Sequence, residues 1–386
     1  MSWDKVKIGD CCEITSSKRI FFSEYVECGV PFYRSKEIIE SSNGQEISEP
    51  LFISQEKYDE IKRNFGVPQP GDMLLTSVGT IGVPYIVKED DYFYFKDGNL
   101  TWFRKFNNKL TSQYLYYWVR SAEGQGVLNN TTIGSSQKAL TIASLKGLEI
   151  PCPPVDVQGR IVEILYSYDA LIENNQKQIK LLEEAAQRLY KEWFVDLRFP
   201  GHETTPIIDG IPEGWRKVEV GTCISKIART KQVMTADMLE TGAIPVVDQS
   251  RSFVAGYTND AETIVDFGVP VIVFGDHTRV LKYIQFPFAK GADGTQLIVS
   301  NSEKMPQSLF YCSLVNVDLS NHHYARHFKY LKAEEILLPT YAVACEFDRI
   351  VAPLFKQVQK LRDKCTLAAE ARDRLLPKLM NGEIEV

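Results

Sequence analysis

A handful of short polar runs carry the residue types that hydrogen-bond to base edges and phosphates. Base reading calls for Arg, Lys, Asn, Gln, Ser or Thr at a groove edge, and phosphate contacts call for Lys, Arg and small polar donors. In the second half of the chain, Gly275-Asp276-His277-Thr278-Arg279 follows the apolar run Val271–Phe274 and reads as a strand-end loop. His322-His323-Tyr324-Ala325-Arg326-His327 and Lys329 form a second basic-aromatic cluster. In the first half the matching places are Thr76-Ser77-Val78-Gly79-Thr80 and Gly134-Ser135-Ser136-Gln137-Lys138, with Ser17-Lys18-Arg19 and Arg34-Ser35-Lys36 beside them. The candidate contacts are therefore Lys18, Arg19, Arg34, Lys36, Ser77, Thr80, Gln137, Lys138, His277, Thr278, Arg279, Tyr324, Arg326, His327 and Lys329, led by Arg279, Arg326, Gln137 and Lys138. A solvated loop would present the same residue types.

Other chemistries find little support. His323 and His327 stand four apart, like two zinc ligands on a helix, but the metalloprotease pattern needs Glu where Tyr324 stands. The eight cysteines form no Cys-x-x-Cys pair and read as reduced thiols, several of them in apolar segments. There is no Gly-x-x-x-x-Gly-Lys-Ser/Thr loop and no Gly-x-Gly-x-x-Gly. Nor is there an Asn-Pro-Pro-Tyr/Phe of the kind adenine methyltransferases carry; Cys152-Pro153-Pro154-Val155 is not that motif. The expectation is no catalytic residue, no metal and no cofactor of the chain's own.

The elements that must position these loops are written twice. Trp3-Asp4-Lys5-Val6-Lys7-Ile8-Gly9-Asp10-Cys11 is matched by Trp215-Arg216-Lys217-Val218-Glu219-Val220-Gly221-Thr222-Cys223. The same order then returns: Gly29-Val30-Pro31 with Ala243-Ile244-Pro245, Asp97-Gly98 with Asp293-Gly294, and Gln113-Tyr114-Leu115-Tyr116-Tyr117 with Gln307-Ser308-Leu309-Phe310-Tyr311. Ile150-Pro151 aligns with Leu338-Pro339, and Arg160-Ile161-Val162 with Arg349-Ile350-Val351. Each repeat is a globular part of roughly 150 residues followed by a long helix.

After Pro153-Pro154 an unbroken four-three spacing predicts a helix with a coiled-coil seam of Ile161, Leu165, Tyr168, Ile172, Asn175, Ile179, Leu182, Ala186, Leu189 and Trp193. Asn175 is its one polar member, a residue type that fixes register at a cost in stability. A second helix from about Asp348 has the seam Leu354, Val358, Leu361, Cys365, Ala368, Leu375 and Leu379, interrupted at Arg372. Pro377 is expected to kink or end it. Each seam is the obvious partner of the other, with pairing between separate chains as the alternative, and the alternation of globular parts with helices calls for an antiparallel pair. At 1.5 Å per residue the first helix is on the order of 50 Å long, a length that suits the spacing of equivalent DNA grooves, about 34 Å.

The bulk numbers fit a globular protein: 386 residues, 44% hydrophobic and 24% charged. With no signal peptide or bilayer-length apolar run in this sequence, a cytoplasmic location is expected. A net charge of −6 counts against non-specific nucleic-acid binding and suggests that a partner supplies phosphate contacts.

Ile211-Pro212-Glu213-Gly214-Trp215 is similar to the segment that opens recognition domains in the specificity subunits of type I restriction-modification systems. Leu145 to Pro154 followed by Gln158-Gly159-Arg160-Ile161-Val162 resembles the entry to their central conserved region; Gln187 to Asp196 with Phe199-Pro200-Gly201 resembles its exit. Leu375 to Ile384 resembles the end of their second conserved region, and His322 to His327 a segment common in one class of these domains. The ordered set covers the whole chain, although the first unit opens at Trp3 without a preceding Pro-x-Gly. The resemblance implies an α+β architecture: target recognition domains at 1–153 and 199–342, each a mixed α/β fold, and long spacer helices at 154–198 and 343–386 paired as an antiparallel coiled coil. It implies a non-catalytic subunit, each domain reading half of a bipartite, asymmetric site in double-stranded DNA. The helices would fix the gap and dock two methyltransferase subunits, which use S-adenosylmethionine to methylate adenine after base flipping. Motor-nuclease subunits, with ATP and Mg, would complete the complex, unless the system only methylates. Against this stand an adaptor that binds proteins and never touches DNA, and a metal-dependent hydrolase built on His322–His327.

Overall fold

The repeated Trp-x-Lys-Val segment forms the same structure in both halves. In the computed structural model, which describes residues 3–45, 47–134, 138–292, 294–321 and 326–386, the chain divides into two units: residues 1–174 with 364–386, and residues 175–363. The strands of the first unit are β1 (Lys5–Lys7), β2 (Glu13–Thr15), β3 (Tyr25–Val26), β4 (Val30–Tyr33), β5 (Leu51–Ile53), β6 (Met73–Thr76), β7 (Pro84–Ile86), β8 (Tyr94–Phe95), β9 (Leu100–Arg104) and β10 (Glu149–Pro151). Its helices are α1 (Ser35–Ser42), α2 (Gln55–Asn64), α3 (Ser112–Arg120), α4 (Ala122–Thr131), α5 (Ile142–Lys146) and the first part of α6 (Val155–Tyr190). One sheet runs β2-β9-β6-β7 and another β3-β5-β4-β8, with β4 and β8 parallel. Every residue of β6 is buried, as expected of a strand covered on both faces.

The second unit has β11 (Ile207–Ile208), β12 (Ile211–Pro212), β13 (Arg216–Glu219), β14 (Gln232–Val233), β15 (Ile244–Val247), β16 (Gly256–Thr258), β17 (Ile264–Val265), β18 (Val271–Gly275), β19 (Leu281–Ile284), β20 (Phe288–Gly291), β21 (Thr295–Ile298) and β22 (Glu335–Leu338). The rest of α6, then α7 (Gln307–Val315), α8 (His327–Ala333) and the first part of α9 (Tyr341–Met380), are its helices; α9 from residue 364 belongs to the first unit. The plan of the first unit returns: a fully buried β18 between β19 and β21, and a parallel pair, β15 with β20, in a second sheet.

The repeat explains its own glycines. A Cβ on Gly9 would lie 2.9 Å from the Lys146 carbonyl oxygen, and one on Gly221 3.0 Å from that of Lys332. Each glycine admits the C-terminal end of a short helix, α5 or α8, against the opening strand. Strand pairing also corrects the alignment. Val6 faces Ile150 and Val218 faces Ile336, so Ile150 corresponds to Ile336 rather than Leu338, and Pro153 to Pro339. The helices then start two residues after equivalent prolines, at Val155 and Tyr341. Ile161 corresponds to Phe347, one turn before the residue that sequence similarity selects.

In each unit, segments of the two long helices run antiparallel. In the first, Asp169 on α6 pairs with Arg372 on α9, and the Cys365 thiol reaches the Ile172 carbonyl. In the second, Glu183 accepts from Arg362 at 2.7 Å, while Trp193 and Phe194 pack on Phe347. Of the expected seam, Ile161, Leu165, Asn175, Ala186, Val358 and Leu361 are buried, while Tyr168, Ile172, Ile179, Leu182, Leu189, Leu354, Cys365 and Leu375 are half-buried. Phe355 and Leu376 take the buried places that spacing gave to Leu354 and Leu375. The helix starts before Asp348, so Ala344, Phe347 and Val351 belong to its inner face. Arg372 does not interrupt the seam; its guanidinium, 13% exposed, is the Asp169 partner. The Asn175 side-chain nitrogen is buried without a hydrogen-bond partner among the described residues, the cost a register-fixing seam residue carries.

Two helix ends depart from expectation. Pro377 does not end α9, which runs on to Met380. The missing N–H bond is one of the last turn, and Leu379 and Met380 are buried in the core, which holds that turn in place. Asn381 and left-handed Gly382 (φ 72°) close it. After Tyr190, α6 widens into a turn with an i→i+5 bond from Asp196 N–H to the Lys191 carbonyl. That extra residue lets neighbouring Trp193 and Phe194 both face inward.

Each helix pair shares a core with its globular part. Ile161, Leu165, Leu376 and Leu379 pack with Tyr114, Leu115 and Trp118. Tyr190, Trp193, Phe347 and Phe355 pack with Leu309, Phe310 and Tyr283. Gln158, fully buried, fastens the first junction: its Oε1 accepts from the Thr111 N–H at 3.0 Å, and its Nε2 donates to the Lys109 and Pro153 carbonyls at 2.8 and 2.9 Å. Gln158→Ala takes this partner from the Thr111 N–H and the Pro153 carbonyl, while the Lys109 carbonyl keeps the Cys152 thiol at 3.2 Å, a loss of about 1–3 kcal/mol. The denaturant midpoint of the full chain is expected to fall accordingly, and an unchanged midpoint would show that Gln158 does not fasten this junction.

Candidate nucleic-acid interface

In both units a buried apolar strand ends in a loop held by neighbouring loops. In the second unit, β18 ends at Gly275, where a Cβ would stand 2.1 Å from the Thr278 hydroxyl; only glycine admits so tight a turn. The Thr278 hydroxyl donates to the Gln249 carbonyl at 2.6 Å, and the His277 N–H donates to the Gln249 side-chain oxygen at 3.1 Å. The Asp276 N–H reaches the Gly294 carbonyl at 2.7 Å. Asp276 turns inward and its carboxylate accepts from the Phe328 N–H at 2.7 Å, which caps α8. Arg279 sits in the left-handed region (φ 60°), and its Nε donates to the buried His327 ring at 3.3 Å. His277, Thr278, Arg279, Arg326 and Lys329 are exposed around this core.

The Gln249 loop is itself pinned. Lys282, 4% exposed, donates from its ammonium to the Asp248 carbonyl at 2.8 Å and to the Ser252 carbonyl. Burial pulls its pKa down, and the Asp248 carboxylate at 3.7 Å opposes that. The polar apex of this unit is thus built on a buried cation rather than left to solvent.

The first unit has a corresponding chain of loops. Ser77, at the end of β6, donates its N–H to the Asn99 carbonyl at 2.8 Å and shares a 2.7 Å hydroxyl bond with Thr101. The Leu140 N–H reaches the Ser77 carbonyl, and Val78 bridges Ala139, so the Gly79-Thr80 loop and Lys138 are neighbours. The Gly98 N–H bonds Ser16 at 3.4 Å, and Arg19 pairs with Asp97 at 2.8 Å. Lys18, Arg19, Thr80 and Lys138 are exposed.

Some expected contacts are placed otherwise. Ser77 and His327 are buried at 2% and 3% exposure, so they hold loops rather than face solvent. Arg34 is half-buried and grips Glu37 at 2.6 Å, closing the first turn of α1. Lys36 is on the surface but pairs with Glu49 at 2.9 Å. Gln137 and Tyr324 lie outside the described residues, with Ser135, Ser136, His322 and His323. Gln249 was missed; its signal was the polar run Asp248-Gln249-Ser250 directly after an apolar strand. Among the described residues no group of three or more His, Cys, Asp or Glu is placed to hold a metal ion, and no helix is long and apolar enough to cross a membrane.

Comparison with known proteins agrees with this layout. Residues 1–184 match the family profile described as type I restriction modification DNA specificity domain. The chain is 25% identical to the type I restriction enzyme MjaIX specificity subunit of Methanocaldococcus jannaschii, over 100% of this chain and 94% of that one. It is 27% identical to a putative type I restriction enzyme specificity subunit, S.HindORF215P, of Haemophilus influenzae, over 48% of this chain and 45% of the other. The fold is similar to that of the crystal structure of the type I restriction-modification S subunit from M. genitalium, with TM-score 0.59 and 15% identity over 98% of this chain and 96% of that one.

Proposed function

We propose that this chain is a type I restriction-modification specificity subunit, as the profile match over residues 1–184 supports, and that its two units each read one half of a split site in double-stranded DNA. The recognition domains are residues 1–153 and 199–342, and the paired helices set the unread gap between the halves. The observation that carries this reading is the loop cluster at the end of β18. Gly275, Gln249 and His327 fix an exposed His277-Thr278-Arg279 apex. Pre-organised donors on a rigid strand end suit base reading, because docking them costs little entropy.

The chain supplies recognition and no chemistry. Two methyltransferase subunits dock on the helices and bring S-adenosylmethionine; motor-nuclease subunits bring ATP and Mg for cleavage. Large apolar side chains exposed on the helices, Tyr166 at 61%, Leu181 at 63% and Leu367 at 65%, support such docking. The net charge of −6 accords with phosphate contacts shared by a partner.

Arg279→Ala tests the reading directly. It removes one bidentate pair with a base, so affinity for the cognate duplex is expected to fall by about 1–3 kcal/mol and discrimination to relax at one position of the second half-site. Lys329→Ala is expected to weaken all duplexes alike and to lower the salt slope by about 1, as for a phosphate contact. Gel-shift titrations at several salt concentrations measure both. Sequence-independent behaviour of the unaltered complex would favour the adaptor reading.

A further inference from the structure

Phe22 is the most exposed large apolar residue among those described, at 87%, and its neighbour Phe21 is at 61%. The turn that carries them is rigid. The Phe21 N–H donates to the Glu24 carboxylate at 2.7 Å, and the Glu24 N–H returns a bond to the Phe21 carbonyl at 2.9 Å. Lys57 on α2 pairs with Glu24 at 3.0 Å, and these two interactions, the Phe21 N–H first, hold the Glu24 carboxyl below its usual range. Ile20 is buried in the core with Phe32, and the Phe22 ring meets Tyr25 edge-on at 5.6 Å. Two phenyl groups are thus held outward on a fixed base, against the tendency of apolar side chains to bury.

Their surroundings indicate the occupant. Lys18 and Arg19 directly precede the turn and are both exposed. The carboxylates in contact with the segment are neutralised: Asp97 by Arg19 and Glu24 by Lys57. Ser16 and Asp97 tie the segment to the same loop chain that carries Ser77 and Thr80. Apolar wedges flanked by cations are how proteins open a base step from the minor groove, the cations taking phosphates while the ring enters the stack. Taking as its basis the DNA reading argued above, we propose that Phe21 and Phe22 form an aromatic wedge that enters the minor groove of the duplex at the first half-site and unstacks one base step. The first unit then reads part of its sequence through how readily that step opens.

The test uses the full chain co-expressed with its neighbouring methyltransferase. Phe21→Ala/Phe22→Ala is expected to slow methylation of the motif at least about tenfold, the scale of one base–aromatic stack. Phe22→Trp in the unaltered background keeps the rate. The melting temperature and the amount of co-purified methyltransferase stay at wild-type values, because exposed rings support neither. On a duplex carrying the mapped motif, 2-aminopurine at the opened step brightens with the wild-type complex and not with the double variant. If the double variant loses stability, Phe22→Ser alone carries the same measurements. Unchanged rate and fluorescence in the variant would overturn the wedge while leaving DNA reading intact. Loss of methyltransferase from the variant would overturn it in favour of a protein contact. A wild-type complex that methylates no motif would remove the DNA reading itself, and the wedge with it.

Discussion

Exchanging residues 199–342 for the same segment of a relative is expected to change one half of the recognised motif and to leave the other half and the gap as they were. The two cores make this exchange possible. The β18 apex rests on side chains of its own unit, and the first unit has a separate core around Tyr114 and Trp118. The graft must keep the residues that meet the helices, Trp215, Tyr283, Leu309 and Phe310, because Tyr190, Trp193 and Phe347 pack on them. Each wrong base pair costs about 1–3 kcal/mol, so a few altered positions silence the old sites by orders of magnitude. Methylation mapping of the chimera checks it, and a motif altered in both halves would contradict modular reading.

Seven residues inserted in each long helix are expected to lengthen the unread gap. The place for them is between Asn174 and Asn175 and between Asp363 and Lys364, where the two units divide and neither core is cut. Seven residues add about 10 Å at 1.5 Å each, or about 3 base pairs. A heptad keeps the seam in phase to within about 20°, whereas 3 base pairs turn the groove by roughly 100° at 10–10.5 per turn. The lengthened complex is therefore expected to methylate more slowly as well as at the wider spacing. An unchanged gap would show that the helices are not the ruler.

The duplication and the helix seam were legible because both depend on spacing, which the sequence displays directly. Ile161 to Leu189 fall on the inner face as the four-three pattern requires. What spacing could not give was phase where two apolar residues stand side by side: Phe355 displaced Leu354, and Leu376 displaced Leu375. Arg372 looked like a flaw because its partner, Asp169, lies 203 positions away. Contact residues were harder still. Ser77, Arg34 and His327 have the right chemistry for DNA, but each spends it inside the fold, on Thr101, Glu37 and Arg279. A polar residue at a strand end looks the same in sequence whether it faces solvent or bonds inward. Gln249 shows the converse: the polar run after an apolar strand marks the place, but only the structure sets the residue under His277 and Thr278.

The most direct test of the central claim is to map adenine methylation by long-read sequencing in a methylation-free host that expresses this chain with its neighbouring methyltransferase. The account predicts a split, asymmetric motif with a fixed gap that disappears when this chain is left out. No methylation, with the same methyltransferase active beside a different specificity subunit, would contradict it.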